Sequence, residues 1–138
     1  MNGTLTSQSA VVVDSSLVVD LIAGVPGVVD AASRFGNVQF HAPYLIDLEY
    51  VSSLRSKLFQ RRISAAEAAH MLDMFLSVPI IWHPHRPFLA RVWQLRDNIN
   101  PYDACYVALA DLLDIPLLTR DARLARASGH AARIEYID

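Results

Sequence analysis

The apolar positions of this chain form short continuous runs separated by longer stretches of helical periodicity. Val11, Val12 and Val13 are an uninterrupted β-branched run, the pattern of a strand buried on both faces of a parallel sheet. Helical stretches separate the later short runs and no hairpin signal appears, which is typical of a parallel sheet with helices on both faces. The predicted strands cover residues 11–13, 38–41, 79–82, 116–118 and 133–137.

Capping residues predict where the helices begin. We expect Ser15 or Ser16, directly after the first strand, to cap a helix that ends near residue 23. Ser64 begins a capping box, and Asn100 before Pro101 is typical of an N-cap followed by a first-turn proline. The other predicted helices cover about 26–35, 44–59, 64–77, 86–97, 100–114 and 121–127. The prediction is an α/β domain of three layers, with a mainly parallel central sheet of about five strands.

Length and composition indicate a single globular domain. The chain has 138 residues, of which 53% are hydrophobic and 19% charged, and this excludes a disordered or fibrous protein. We assign residues 11–138 to the domain. Residues 1–10 carry no charged side chain and are mostly polar, so we assign them to a flexible tail. No apolar run reaches the roughly 18 residues that a membrane span needs. The single cysteine, Cys105, permits no internal disulfide, so we expect a cytoplasmic protein.

The charge balance argues against binding of nucleic acid through bulk positive charge. Twelve basic residues against 14 acidic ones give a formal net charge of −2. Eleven of the twelve basic residues are arginine, and only Lys57 is lysine. Because arginine forms bidentate contacts with phosphate, a local patch for a phosphate backbone remains open.

Acidic and hydroxyl side chains lie where the strands of the predicted sheet end. Asp14 directly follows the first strand, Thr119 and Asp121 follow the fourth, and Asp103 lies in the first turn of the helix after Asn100. Ligands of open α/β sheets bind at this carboxyl edge. Each aspartate also has a structural alternative, as a helix N-cap or as a first-turn acid favoured by the helix dipole.

Glu49 interrupts the apolar pattern of its helix. The core-facing template places Glu49 beside Leu45, Leu48 and Ser52, and no basic residue lies one turn away to pair with it. A buried unpaired carboxylate is costly. Either the helix is rotated so that Glu49 meets water, or a cation binds it.

Four acids without a nearby lysine suggest a site for a hard divalent cation. Mg²⁺ and Mn²⁺ prefer carboxylate oxygens, and such a site can support in-line displacement at a phosphodiester. The histidines His41, His83 and His85 have no cysteine partners at zinc spacing, so a surface or capping role is expected for them.

Four segments together resemble the PIN-domain ribonucleases, and among these the VapC-type toxins of bacterial toxin–antitoxin pairs. The Tyr-Asp-Ala-x-Tyr-Val-Ala-Leu-Ala run and the Thr-x-Asp-x-x-Leu run, in this order, are specific in combination. Two departures are Ser52, where the family often has asparagine, and a longer N-terminal tail. The segments are residues 11–16, 43–49, 102–110 and 116–124.

The resemblance implies a metal-binding quartet, with Thr119 and Ser16 as accessory hydroxyls. It implies Mg²⁺- or Mn²⁺-dependent RNA cleavage that leaves a 5′-phosphate and a 3′-hydroxyl, with tRNA or rRNA as candidate targets. It also implies a homodimer inhibited by a VapB-type antitoxin whose tail covers the acidic pocket. The implied quartet is Asp14, Glu49, Asp103 and Asp121.

Two other classes of function stay open at this point. A phosphoacceptor signalling domain is also acidic at the end of its first strand, but it needs a lysine near the acids, and Lys57 lies two helical turns beyond Glu49. A catalytically inactive PIN-like module that binds RNA or protein is the second alternative. All four acids are intact, which favours the nuclease.

Overall fold

Five parallel strands form the central sheet of the computed structural model, which describes residues 9–138. The strands are β1 (Ser9–Val13), β2 (Val38–Pro43), β3 (Ile80–His83), β4 (Leu117–Thr119) and β5 (Ile134–Tyr136). Their order across the sheet is β3-β2-β1-β4-β5, and every neighbouring pair is parallel. The predicted α/β fold with a five-stranded sheet is therefore confirmed.

The helices cover both faces of the sheet. Parallel crossovers are right-handed, so the reversal of direction after β3 places the first four helices on one face and the last three on the other. Helices α1 and α3 contact each other, whereas α6 contacts β1 and β2. The helices are α1 (Ser15–Ile22), α2 (Pro26–Phe35), α3 (Leu45–Phe59), α4 (Ala65–Ser77), α5 (Leu89–Gln94), α6 (Pro101–Leu113) and α7 (Ala122–Ala125).

The N-terminal end of the sheet differs from the prediction. Strand β1 begins at Ser9, because Ser9 and Ala10 pair with Val38 and Gln39 of β2. These two residues therefore belong to the sheet, not to a tail. The remainder of the expected flexible tail, residues 1–8, lies outside the described part of the chain.

The single helix predicted over residues 86–97 is also wrong. The segment forms a 3₁₀ turn at Arg86–Phe88 and the short helix α5, which ends at Gln94. The residues after α5 form turns in which the Leu95 carbonyl accepts hydrogen bonds from the backbone N–H groups of Asn98 and Ile99.

Helix α3 is rotated relative to the predicted template. Its buried residues are Ile46, Tyr50 and Leu54, while Leu48 is 73% exposed. The Tyr50 ring stacks on Phe75 of α4 at 4.1 Å, and its hydroxyl donates to the Met71 carbonyl at 2.7 Å. Burial raises the pKa of Tyr50 to about 12, so the hydroxyl remains a donor. This contact fixes which side of α3 meets the core.

No helix among the described residues is by itself long and apolar enough to cross a membrane. Helices α1 and α2 satisfy length and composition only as a pair, and they are bent by 106° at the break between them.

We expect Tyr50→Phe to lower the free energy of unfolding by about 1 kcal/mol, because a buried hydrogen bond is lost while the ring remains. The control is Leu48→Ala on the exposed side of α3, which should change it by no more than about 0.5 kcal/mol. Urea denaturation of the three proteins measures both values. Equal stability of Tyr50→Phe and wild type would show that the hydroxyl does not help to orient α3.

Candidate metal and catalytic site

The site lies where β1 and β4 end side by side. Val13 is in register with Leu118, so the residues that follow each strand meet at the same edge of the sheet. The backbone N–H of Asp14 donates to the Leu118 carbonyl at 3.4 Å. Parallel pairing therefore brings Asp14 next to Thr119, 105 positions apart in sequence.

Asp14 is a buried carboxylate with three hydrogen-bond donors. It is 6% exposed, and its Oδ1 accepts from Ser16 Oγ at 2.7 Å and from the Leu17 backbone N–H at 3.0 Å, while Oδ2 accepts from the Thr119 hydroxyl. Burial raises the pKa of Asp14, the three hydrogen bonds oppose this, and the negative charge of Asp121 adds to it. Its own side chain also caps α1, so the predicted serine cap is wrong.

Thr119 and Ser16 connect Asp14 to the loop after β4. Thr119 is completely buried, and its Oγ1 accepts from the Asp121 backbone N–H at 2.9 Å. Ser16 Oγ accepts from the Arg120 backbone N–H at 3.2 Å. Both hydroxyls donate to Asp14 and accept from the loop, an arrangement that fixes the orientation of the carboxylate.

Glu49 reaches the same edge from α3, where it is half-buried. Its Oε1 accepts from the Tyr106 hydroxyl at 2.5 Å. Burial raises the pKa of Glu49 against the effect of this hydrogen bond, and the negative charges of Asp103 and Asp14 raise it further. Within residues 9–138, no basic side chain forms an ion pair with Glu49. Helix α3 is thus rotated so that Glu49 is only half-buried, which is one of the two alternatives left open by the sequence, and the Tyr106 hydroxyl is its hydrogen-bond donor.

Tyr106 is a site residue that the sequence interpretation missed. It lies three positions after Asp103, so both side chains project from one face of α6. Its ring is buried, and burial together with the Glu49 carboxylate raises the pKa of Tyr106, so the hydroxyl stays protonated. A buried tyrosine hydroxyl usually has a hydrogen-bond partner, and that rule could have indicated the contact.

Asp103 has a structural role in addition to its place at the edge. It is a first-turn acid of α6, and the Asn100 side chain, which caps this helix, donates to Asp103 Oδ2 at 2.8 Å. The guanidinium of Arg123 also donates to this oxygen, at 3.3 Å.

Asp121 is the N-cap of α7. Its Oδ1 accepts from the backbone N–H groups of Arg123 and Leu124, at 2.9 and 3.3 Å. Its Oδ2 lies 3.7 Å from the Arg123 guanidinium. The structural alternatives for the two aspartates are therefore real roles, and they coexist with a shared position at the edge of the sheet.

The donor set suits a hydrated divalent cation. The negative charges of Asp14 and Asp103 raise the pKa of Glu49, and the charge of Asp121 raises the pKa of Asp14. The four acids are therefore close enough to interact electrostatically. In the described part of the chain, no three acidic, histidine or cysteine side chains already converge closely enough to hold a metal ion. Mg²⁺ keeps several waters and binds through one or two carboxylates, so a closed cage is not required.

The PIN-domain family model matches residues 11–129. The chain belongs to the PIN-domain family. Its relatives include Ribonuclease VapC12 of Mycobacterium tuberculosis, 37% identical over 127 residues that cover 92% of this chain and 98% of the relative. Ribonuclease VapC1 of the same organism is 39% identical over 128 residues, with coverage of 91% and 96%. The predicted resemblance to VapC-type ribonucleases is confirmed, and the phosphoacceptor interpretation is no longer needed.

Two solved structures share the fold of this chain. VapBC2 from Rickettsia felis gives a TM-score of 0.69 at 15% identity, with 94% of this chain and 99% of that one covered. VapC20 of M. tuberculosis gives a TM-score of 0.62, also at 15% identity, with coverage of 88% and 96%. At this identity the two structures support the fold alone.

We expect Glu49→Gln to stabilise the metal-free protein at neutral pH. The folded state raises the pKa of Glu49 above its ordinary value of 4.5, so folding favours the protonated form. The stability from this group is fully present below pH 4.5 and is lost as the pH rises through the raised pKa. Melting temperatures in chelator should be higher for Glu49→Gln than for wild type at pH 7, and the gap should close toward pH 4.

Glu135→Gln on β5 is the matched control, since its side chain is exposed and far along the sheet from α3. Its melting temperature should follow wild type at every pH. A Glu49→Gln protein that melts below wild type at pH 7 would mean that the Tyr106 hydrogen bond outweighs the burial of the charge.

Proposed function

We propose that this VapC-type ribonuclease is a toxin that cuts RNA at a Mg²⁺- or Mn²⁺-loaded site formed by its four acids. One observation carries the proposal. Asp14 is buried and fixed by three donors, and no basic side chain among residues 9–138 forms an ion pair with the half-buried Glu49. Charges held in this way are costly to the fold without a cation, and sites that carry such costs are commonly functional.

Each residue of the site has a separable task in this proposal. Asp14 and Glu49 would bind the ion from the buried side, and Asp103 and Asp121 would bind it, directly or through water, from the exposed side. Thr119 and Ser16 orient Asp14, and Tyr106 orients Glu49. A divalent cation at such a site lowers the pKa of a water molecule and neutralises phosphate charge.

The proposed reaction is hydrolysis at phosphorus. The oxygen of a water molecule forms a bond to phosphorus while the bond to the ribose 3′ oxygen breaks. The leaving oxygen takes up a proton as the 3′-hydroxyl, and the phosphate stays on the 5′ end of the downstream fragment. Because the 2′-hydroxyl is not the nucleophile, no cyclic phosphate forms.

A VapB-type antitoxin and a homodimer complete the proposal. The relatives are named as VapC ribonucleases, and one structural neighbour is VapBC2 bound to a promoter DNA fragment. We propose tRNA or rRNA as the target class; VapC20, which shares the fold, is described as a sarcin–ricin loop cleaving toxin. A toxin of this kind acts on cellular RNA, so we place it in the cytoplasm. Analytical ultracentrifugation, alone and with a co-expressed VapB-type protein, tests both assemblies.

We expect induction of the wild-type chain to arrest growth and Asp14→Asn to relieve the arrest, because the variant loses the charge of the most buried ligand. Growth curves after induction, with matched protein levels, make the comparison. Asp30→Asn on α2 is the control, since this exposed aspartate lies away from the sheet edge, and it should stay toxic. Equal toxicity of wild type and Asp14→Asn would remove the nuclease explanation.

Purified protein should cleave RNA with Mg²⁺ or Mn²⁺ and lose this activity in excess chelator. Ca²⁺ should support cleavage poorly, because it takes more ligands at longer distances and misplaces the attacking water. The products should be degraded by an exonuclease that requires a 5′-monophosphate. Undiminished cleavage in chelator, or fragments with 5′-hydroxyl ends, would contradict the proposed chemistry.

A further inference from the structure

Arg123 is the basic residue that contacts the acidic site in this structure. Its Nη2 lies 3.3 Å from Asp103 Oδ2 and 3.7 Å from Asp121 Oδ2. Across residues 9–138, no other basic side chain forms an ion pair with any of the four acids. The guanidinium therefore partly neutralises Asp103 and Asp121, and the charges of Asp14 and Glu49 have no ion-pair partner among these residues.

The attachment of Arg123 is weak enough to be reversible. Its side chain is 74% exposed, whereas the side chains of Asp103 and Asp121 are 22% and 33% exposed. Water and salt reach the guanidinium and screen the ion pair, so the pair contributes little to stability. Arg120, three positions earlier, is a contrast. Its side chain is only 24% exposed, pairs with Asp20 at 2.9 Å and also donates to the Ile137 carbonyl. Arg120 is thus fixed in the structure, whereas Arg123 can leave.

We propose that Arg123 is an internal competitor of the metal ion. In the metal-free protein its guanidinium binds the carboxylates of Asp103 and Asp121, and a divalent cation must displace it from Asp103 to use that oxygen. Two cations cannot share one carboxylate edge without repulsion, so Arg123 sets the metal concentration at which the site fills. This inference rests on the proposed metal-dependent function.

The hydrogen bonds around Arg123 allow its guanidinium to move without a change in the backbone. The N–H of Arg123 donates to Asp121 Oδ1, so the residue stays attached to the N-terminus of α7 when its guanidinium moves. Asp103 keeps its hydrogen bonds with Asn100 after displacement, and its carboxylate is not left without a donor. Displacement therefore changes one side chain and leaves the helix ends in place.

The test is a direct titration with Mn²⁺, in which free ion is measured by electron paramagnetic resonance on protein without RNA. We expect Arg123→Gln to bind Mn²⁺ several-fold more tightly than wild type, and Arg123→Lys, which keeps the charge but replaces the guanidinium with an ammonium group, to lie between them. Arg126→Gln removes the same charge one turn later. Its side chain is exposed and makes no ion pair or hydrogen bond within the described residues, so its affinity should stay within about twofold of wild type.

The outcomes separate this inference from the function on which it rests. Saturable binding that is lost in Asp14→Asn but unchanged in Arg123→Gln overturns the competition and leaves the metal site intact. Weaker binding in Arg123→Gln would mean that Arg123 positions Asp103 for the ion, which also overturns it. Absence of saturable Mn²⁺ binding in every protein, wild type included, overturns the proposed metal dependence, and the competition falls with it.

Discussion

The site depends on the burial of one carboxylate at the junction of two parallel strands. Asp14 follows β1, and its Oδ atoms accept from a helix backbone, from a serine and from the threonine that ends β4. An ionised carboxylate is tolerated in such a place only with several donors. Two of the donors lie in α1 and the third is 105 positions away in β4, so the full set of donors depends on the pairing of β1 with β4. Removal of the pairing would leave the carboxylate without its threonine.

Three of the four candidate metal ligands also stabilise the N-terminus of a helix. Asp14 and Asp121 cap α1 and α7, and Asp103 lies in the first turn of α6. In a parallel α/β sheet the helices begin at the carboxyl edge, so their N-terminal dipoles favour negative charge there. Three of the four acids thus gain local stabilisation from the helices that they begin. Glu49 is the exception, because it lies inside α3 and depends on Tyr106.

Local patterns predicted the parts of the structure that local forces determine. The β-branched run at Val11–Val13, the capping box at Ser64 and the Asn100 cap all lie where they were expected. The rotation of α3 could not be predicted in the same way, because apolar residues lie on both sides of this helix. Leu48 fits the core template as well as Ile46 does, and only the contact of Tyr50 with α4 decides between the two faces.

The candidate acids were predicted by position and residue type, but their partners were not. Asp14, Asp103 and Asp121 follow strands or begin helices, and such places can be read along the chain. The contact between Tyr106 and Glu49 joins residues 57 positions apart. The contact between Arg123 and Asp103 spans 20 positions and depends on where α7 lies after β4. Both depend on tertiary placement, and no local periodicity encodes them.

The site is electrostatically asymmetric. Asp14 and Glu49 lie on the buried side, where burial raises the pKa of both groups and no basic residue among those described pairs with them. The side chains of Asp103 and Asp121 are 22% and 33% exposed, and both contact Arg123. Coulombic attraction grows as the surrounding dielectric falls, so a cation gains most beside Asp14 and Glu49. In the proposed metal site, Asp14 and Glu49 would therefore supply most of the attraction for a cation, and Arg123 would compete with that cation at Asp103 and Asp121.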